Sequence, residues 1–222
     1  MFKYEATMNS DAGTEQRLLN AAGEIFAEYG YRAATIRQIC EKAGANIAAV
    51  NYHFGDKDGL YKAVLRFVNQ ADIKKHPHNL GLNAGASAEQ RLRAYIQYLL
   101  SRIFEEGRPS WHMKLMAREM MEPTRAFETL VEEAARPLHQ ELSSIIRDLL
   151  GPEASDVTVH LCTLSVLGQS VYYHRARPVI SRLYPRQRYG PKEIEALVDH
   201  ITQFSLLALE GMTKKIKSNH ND

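Results

Sequence analysis

Between Thr35 and Leu60 the chain reads TIRQICEKAGANIAAVNYHFGDKDGL, a stretch that leaves the backbone few choices. Thr35 is suited to cap a helix, because its hydroxyl can accept from an orphan backbone N–H two or three residues on. Ile36, Ile39 and Ala43 then fall on one face of that helix. Gly44 stands where a helix end often needs positive φ, which glycine reaches without a Cβ penalty. Asn46 follows as the cap of a second helix over about Ile47 to His53, with Ile47 and Val50 expected inward and Phe54 closing its end. Ala48, Ala49, Asn51, Tyr52 and His53 are left for the other faces. Two short helices at a sharp turn, with a third opening after Gly55 and Asp56, make a helix-turn-helix.

At these residues the chain resembles the TetR/AcrR family of bacterial transcriptional regulators. The matching positions are Thr35, Ile36, Ile39, Ala43-Gly44, Asn46, Ala48, Tyr52-His53-Phe54 and Lys57 to Leu60. LLNAAGEIFAEYGYRAAT, from Leu18 to Thr35, is similar to the family's first helix. Two departures stand out: Asn46-Ile47-Ala48 replaces a Ser-Lys-Gly or Ser-Lys-Ala run, removing a basic side chain from the groove, and Val50-Asn51 replaces Leu-Tyr. The resemblance implies DNA contacts at Thr35, Arg37, Asn46, Ala48, Asn51, Tyr52, His53 and Lys57, with Thr35 and Lys57 at helix N-termini near phosphates. An exposed Tyr-His pair on a short helix has no packing reason to stay in water. Asn51 is able to read adenine bidentately, or is simply a polar surface residue.

Composition alone does not point to nucleic acid. The 222 residues carry a net charge of +2, and residues 1–60 hold six Lys/Arg against eight Asp/Glu. A DNA reader of this kind must turn Arg37, Lys57 and Lys3 or Arg32 toward the phosphates and its carboxylates away. Residues 1–13 read as a loose polar arm before a helix that begins at Thr14, stops at Gly30, and packs through Leu18, Ala22, Ile25, Phe26 and Tyr29.

The remainder predicts an all-α protein: a three-helix reading domain over 1–56, ordered from about residue 14, and a larger helical domain over 57–222 for ligand sensing and dimerisation. Asp56 is placed to cap a helix from Lys57 to about Lys75, which in the family is the lever between the domains. Ser87 and Gln90 form a capping box for a helix to about Glu106, ended by Gly107 and Pro109. Trp111 to Met121 is a short helix stopped by Pro123. A long helix then runs from Phe127 to Leu149, with Pro137 bending it near Glu133. Two last helices, Asp156 to His174 and Pro191 to Lys215, each carry apolar residues over more than one stripe. By resemblance they pair with their copies in a homodimer, through Leu161, Leu164, Gly168 and Val171 on one and Leu197, Ile201, Phe204 and Ala208 on the other. The segment Leu161 to Leu183 looks like the C-terminal domain of the CecR-type subgroup.

A small-molecule effector pocket is expected among the central helices, lined by Phe104, Trp111, Met113, Met116, Met120, Phe127, His139, Tyr172 and Tyr173, although such residues at helical spacing are more often plain core. His112, Arg118, Glu119, His139 and His174 are the polar groups available to orient a ligand. Arg175, Arg177, Arg182, Arg186 and Arg188, with no acid between them, read either as a solvated loop or as an anion or partner site. His76, His78 and His174 do not make a tetrahedral metal set, and no GxSxG, HExxH or P-loop is present. Cys40 and Cys162 read as buried thiols. Leu161 to Tyr173 is too short and too interrupted to span a bilayer. The expectation is a cytoplasmic, non-enzymatic regulator without cofactor, binding a double-stranded DNA operator. The alternative is a helical ligand-binding or enzymatic protein on the same fold without a DNA role.

Overall fold

Gly30 sets the shape of the first helix. In the computed structural model, which describes residues 2–75, 82–83, 85–105 and 109–220, α1 (Phe2–Ala33) is broken at Gly30 by φ 77° and ψ 165°. The expected stop is therefore a kink. The expected start at Thr14 is not: the helix begins at Phe2. Residues 2–12 include Ala, Glu, Lys and Met, good helix formers, and no proline, so nothing local halts it. Tyr29 faces solvent and not the packing side.

After α1 come α2 (Ile36–Ala43), α3 (Ile47–Phe54) and α4 (Lys57–Lys75), then α5 (Ala88–Ile103), α6 (Ser110–Met121) and α7 (Ala126–Leu130). A π-helical turn over Val131–Ala135 leads into α8 (Arg136–Leu150), followed by α9 (Asp156–Arg175), α10 (Arg177–Leu183) and α11 (Pro191–His220). Among the described residues no strand occurs. None of these helices is long and apolar enough to cross a membrane. The long helix expected over Phe127–Leu149 is thus two helices joined by the π turn. Pro137 offers no N–H to the carbonyl of Glu133, and the wider turn just before it absorbs that gap in the ladder. The Arg-rich stretch expected as loop contains α10. His76, His78, Glu106 and Gly107 lie outside the described residues.

The chain divides into two compact units, Met1–Ala71 with Gly107–Ala135, and Asp72–Glu106 with Arg136–Asp222. In the first, Leu18, Ala22 and Phe26 of α1 meet Ile39, Val50, Leu60, Tyr61 and Val64, and Trp111 and Leu115 of α6 join the same core. The Trp111 ring lies where a side chain on Gly23 would be: a Cβ there would come within 2.2 Å of it. The second unit packs Leu92, Tyr95, Ile96 and Leu100 of α5 against Leu142, Ile145 and Ile146 of α8, Val159, Cys162 and Val166 of α9, and Leu197, Val198 and Ile201 of α11. Two of its buried hydroxyls are matched inside: Tyr95 Oη donates to the Leu138 carbonyl at 3.0 Å, and Thr163 Oγ1 to the Val159 carbonyl at 2.8 Å. Both cysteines are buried and free, and burial pushes both thiols up.

Two residues expected at a dimer face belong to this core. Leu197 is 8% exposed and Ile201 1%, because α11 carries two apolar stripes and these lie on the inner one. The outer stripe is another matter. Leu161 (57% exposed), Leu164 and Val171 of α9 and Phe204 (58%) of α11 stand in water, with Gly168 and Ala208 also exposed.

Candidate nucleic-acid interface

The reading unit is built by its caps. Thr35 Oγ1 accepts from Gln38 N at 3.3 Å while Gln38 Oε1 accepts from Thr35 N at 2.9 Å, a closed capping box at the start of α2. Gly44, at φ 61°, ends that helix in the left-handed region, so the chain turns at once. Asn46 Oδ1 then accepts from Ala49 N at 2.8 Å and opens α3. Asp56 Oδ1 does the same for Gly59 N at 2.7 Å at the head of α4. With α2 anchored by Ile39, Cys40 and Ala43 and α3 by Val50, the remaining faces of α3 are free to meet a ligand.

That free face carries Ile47, Ala48, Asn51 and Tyr52. Tyr52 is 76% exposed and stands edge-on to His53, ring centroids 4.9 Å apart; His53 is half-buried. Ile47 was expected inward, but it is 53% exposed. In a helix of eight residues only one position per turn points straight at the core, and Val50 takes it. An apolar side chain thus stands at the tip of α3 where the basic residue is missing.

The cations sort themselves by partner. Lys42 is held by Glu24 at 2.7 Å, on the α1 side. Arg37 is exposed. Lys57 donates to the Arg32 carbonyl at 3.3 Å and lies 4.7 Å above the Tyr31 ring, and its burial lowers its pKa. Tyr31 Oη in turn donates to Asp58. Sequence reasoning missed Tyr31, whose part in seating Lys57 depends on tertiary approach and leaves no spacing signal. Thr35 and Asn46 are where they were expected, but their side-chain oxygens already serve backbone N–H groups. Their first role is to shape the turn.

The nine residues expected around an effector are divided between the two units. Trp111 and Met116 are part of the first core, with Met113 and Phe127 half-buried in the same unit and Met120 exposed. In the second unit Phe104 stacks on Tyr189 at 4.6 Å, Tyr173 packs on the core, His139 Nδ1 lies 3.4 Å from Ser143 Oγ, and Tyr172 faces solvent. Periodicity finds large apolar residues but cannot tell a filled core from a lined cavity. Two of the five polar candidates do meet at a cleft: Arg118 and Glu119. Among the described residues no group of three or more His, Cys, Asp or Glu is placed to hold a metal ion.

A helix-turn-helix with an outward Tyr-bearing second helix defines a DNA-binding fold, and comparison with known proteins agrees. Residues 18–64 match the bacterial regulatory protein tetR family, and residues 88–212 match the C-terminal domain of the HTH-type transcriptional dual regulator CecR. The chain belongs to the TetR family of transcriptional regulators, with a C-terminal domain of the CecR type. It is 28% identical over 211 residues to the HTH-type transcriptional dual regulator CecR of Shigella flexneri, covering 90% of this chain and 93% of that one. To the HTH-type transcriptional repressor AcnR of Corynebacterium efficiens it is 39% identical over 61 residues, 28% of this chain and 32% of the relative. A TetR-like transcriptional regulator from Rhodococcus sp. RHA1 superimposes with a TM-score of 0.61 at 18% identity, over 89% of this chain and 96% of that one, and carries the fold alone. These relatives are regulators of transcription, so the enzyme alternative is not favoured.

Proposed function

We propose that the protein is a cytoplasmic, homodimeric repressor that binds a palindromic double-stranded DNA operator and leaves it when a small molecule binds. In this reading residues 1–56 read DNA and residues 57–222 sense and dimerise. The observation that carries it is the outward row of Ile47, Ala48, Asn51 and Tyr52 on a doubly capped α3. A two-fold dimer would set two such helices in successive major grooves, about 34–36 Å apart. The large apolar side chains left exposed on α9 and α11 support the dimer, since uncovered apolar surface is a mark of interaction faces. Release would be a shift of population: an effector that fits one spacing of the heads better than the other favours it by its differential affinity and no more.

Selection of duplexes from a random library, followed by gel shift, tests the proposal. Wild type is expected to retain one palindromic class, and Tyr52→Ala and Lys57→Ala to lose it. No enriched sequence, or equal retention by Tyr52→Ala, contradicts it. The Shigella flexneri relative is named a dual regulator, which favours a second reading in which some operators are activated. A reporter that falls, not rises, when the gene is deleted would select that reading.

A further inference from the structure

Within the first unit, behind the helix-turn-helix, the end of α1, the start of α4 and the turn after α6 enclose a cleft of about 680 Å³. That is room for a small organic molecule. At the cleft Glu119, 1% exposed, accepts from Tyr61 Oη at 2.5 Å and from Thr124 N and Oγ1 at 2.9 and 2.8 Å. Its carboxylate is fully engaged and offers little to a cationic guest. Arg118 lies over the Gly30 kink, where a Cβ would come within 2.9 Å of its Nη1, and its Nη2 donates to the Glu28 carbonyl at 3.3 Å. Its hydrogen bond goes to a carbonyl, and it shares the Glu28 carboxylate through space with Lys114, which holds that carboxylate directly.

Arg32, Lys62 and Arg125 also line the cleft, and none of them makes an ion pair among the described residues. Against these four cations stand Asp58, Glu119 and Glu122, and Asp58 and Glu119 already accept from Tyr31 and Tyr61. The lining is therefore one positive charge in excess, and Tyr29, 52% exposed, and Pro123 add apolar surface to it, while the Tyr31 and Tyr61 rings pack on each other and on Phe26. Guanidinium groups match a carboxylate through two parallel hydrogen bonds, and the exposed ring of Tyr29 offers a flat surface for an aromatic ring. A doubly charged phosphate would outrun the single excess charge.

We propose that this cleft binds a monoanionic aromatic carboxylic acid, and that its occupation weakens DNA binding. The link to DNA is short. Tyr31 and Arg32 form part of the wall of the cleft and also seat Lys57, so a guest that draws the Arg32 side chain inward disturbs the shelf under Lys57. The binding half stands on the cleft alone; the DNA half rests on the regulator reading.

Isothermal titration calorimetry of the full chain with cinnamate tests the first half, with cinnamamide and inorganic phosphate as the neutral and dianionic probes. Cinnamate is expected to bind one per chain, and both other probes at least about tenfold more weakly. Lys62→Gln with Arg125→Gln should weaken cinnamate by about tenfold or more while leaving the melting temperature and ligand-free DNA binding unchanged. No cinnamate binding, equal binding of cinnamamide or phosphate, or undiminished binding by the double variant overturns the assignment. For the second half, cinnamate should release the selected duplex from wild type and not from the double variant; binding without release overturns the link. Failure of the ligand-free protein to bind any duplex would refute the regulator reading, while calorimetry still judges the cleft.

Discussion

Tyr52 holds most of its surface in water on a helix otherwise pinned by Val50, and that contrast is the ground on which we propose it as a DNA contact. Tyr52→Ala should abolish operator retention yet change stability by no more than about 0.5 kcal/mol, as exposed substitutions do; denaturant melts and gel shifts on one preparation check both. Tyr61 is the opposite case. Burial first, and the hydrogen bond to Glu119 second, hold its phenol proton well above the ordinary value. The folded chain keeps that proton where the unfolded chain loses it, so folding stability falls as pH rises past 10.0, the ordinary tyrosine value. Tyr61→Phe should flatten that alkaline decline and, by taking a donor from a buried carboxylate, cost about 1–3 kcal/mol at neutral pH. Urea unfolding on either side of pH 10.0 reads both effects. Gly23→Ala should cost more than an ordinary helix substitution, because its Cβ would fall on the Trp111 ring.

At the scale of elements the short-range chemistry was legible. Thr35, Asn46, Asp56 and Ser87 each cap the helix they were expected to cap, since an N-cap depends on residues three apart. Thr35→Ala should open the box at α2 and cost about 1 kcal/mol, measurable as a lower denaturation midpoint with an unchanged slope. What was not legible depends on neighbours distant in sequence. Ile47 has the right type for a core position but shares its helix with Val50, which occupies it. Pro137 announces a disturbance without saying that a π turn at Val131–Ala135 will absorb it. Trp111 meets the same limit: it is apolar enough to line a pocket, and only Gly23 reveals that its ring fills a space already closed.

For the whole molecule, the two outer rows of α9 and α11 are the surface that the proposed dimer would bury. Sequence found two apolar stripes on α11 but not which one faces in; Leu197 and Ile201 proved to be core, and Phe204 remained outside with Leu161 and Leu164. Burying each large apolar side chain is worth about 1.5–3 kcal/mol, so a symmetric pairing of these rows is well able to offset the cost of association. Leu161→Glu with Phe204→Glu should therefore yield folded monomers in sedimentation velocity, with operator affinity lost alongside the dimer. The central claim is that one protein dimer presents two copies of α3 to one face of a duplex. Hydroxyl-radical footprinting on the selected operator tests it most directly: the account predicts two protected patches related by a dyad, their centres about one helical turn apart or somewhat more, both absent with Tyr52→Ala. A single patch without a dyad, or protection that survives Tyr52→Ala, would contradict it.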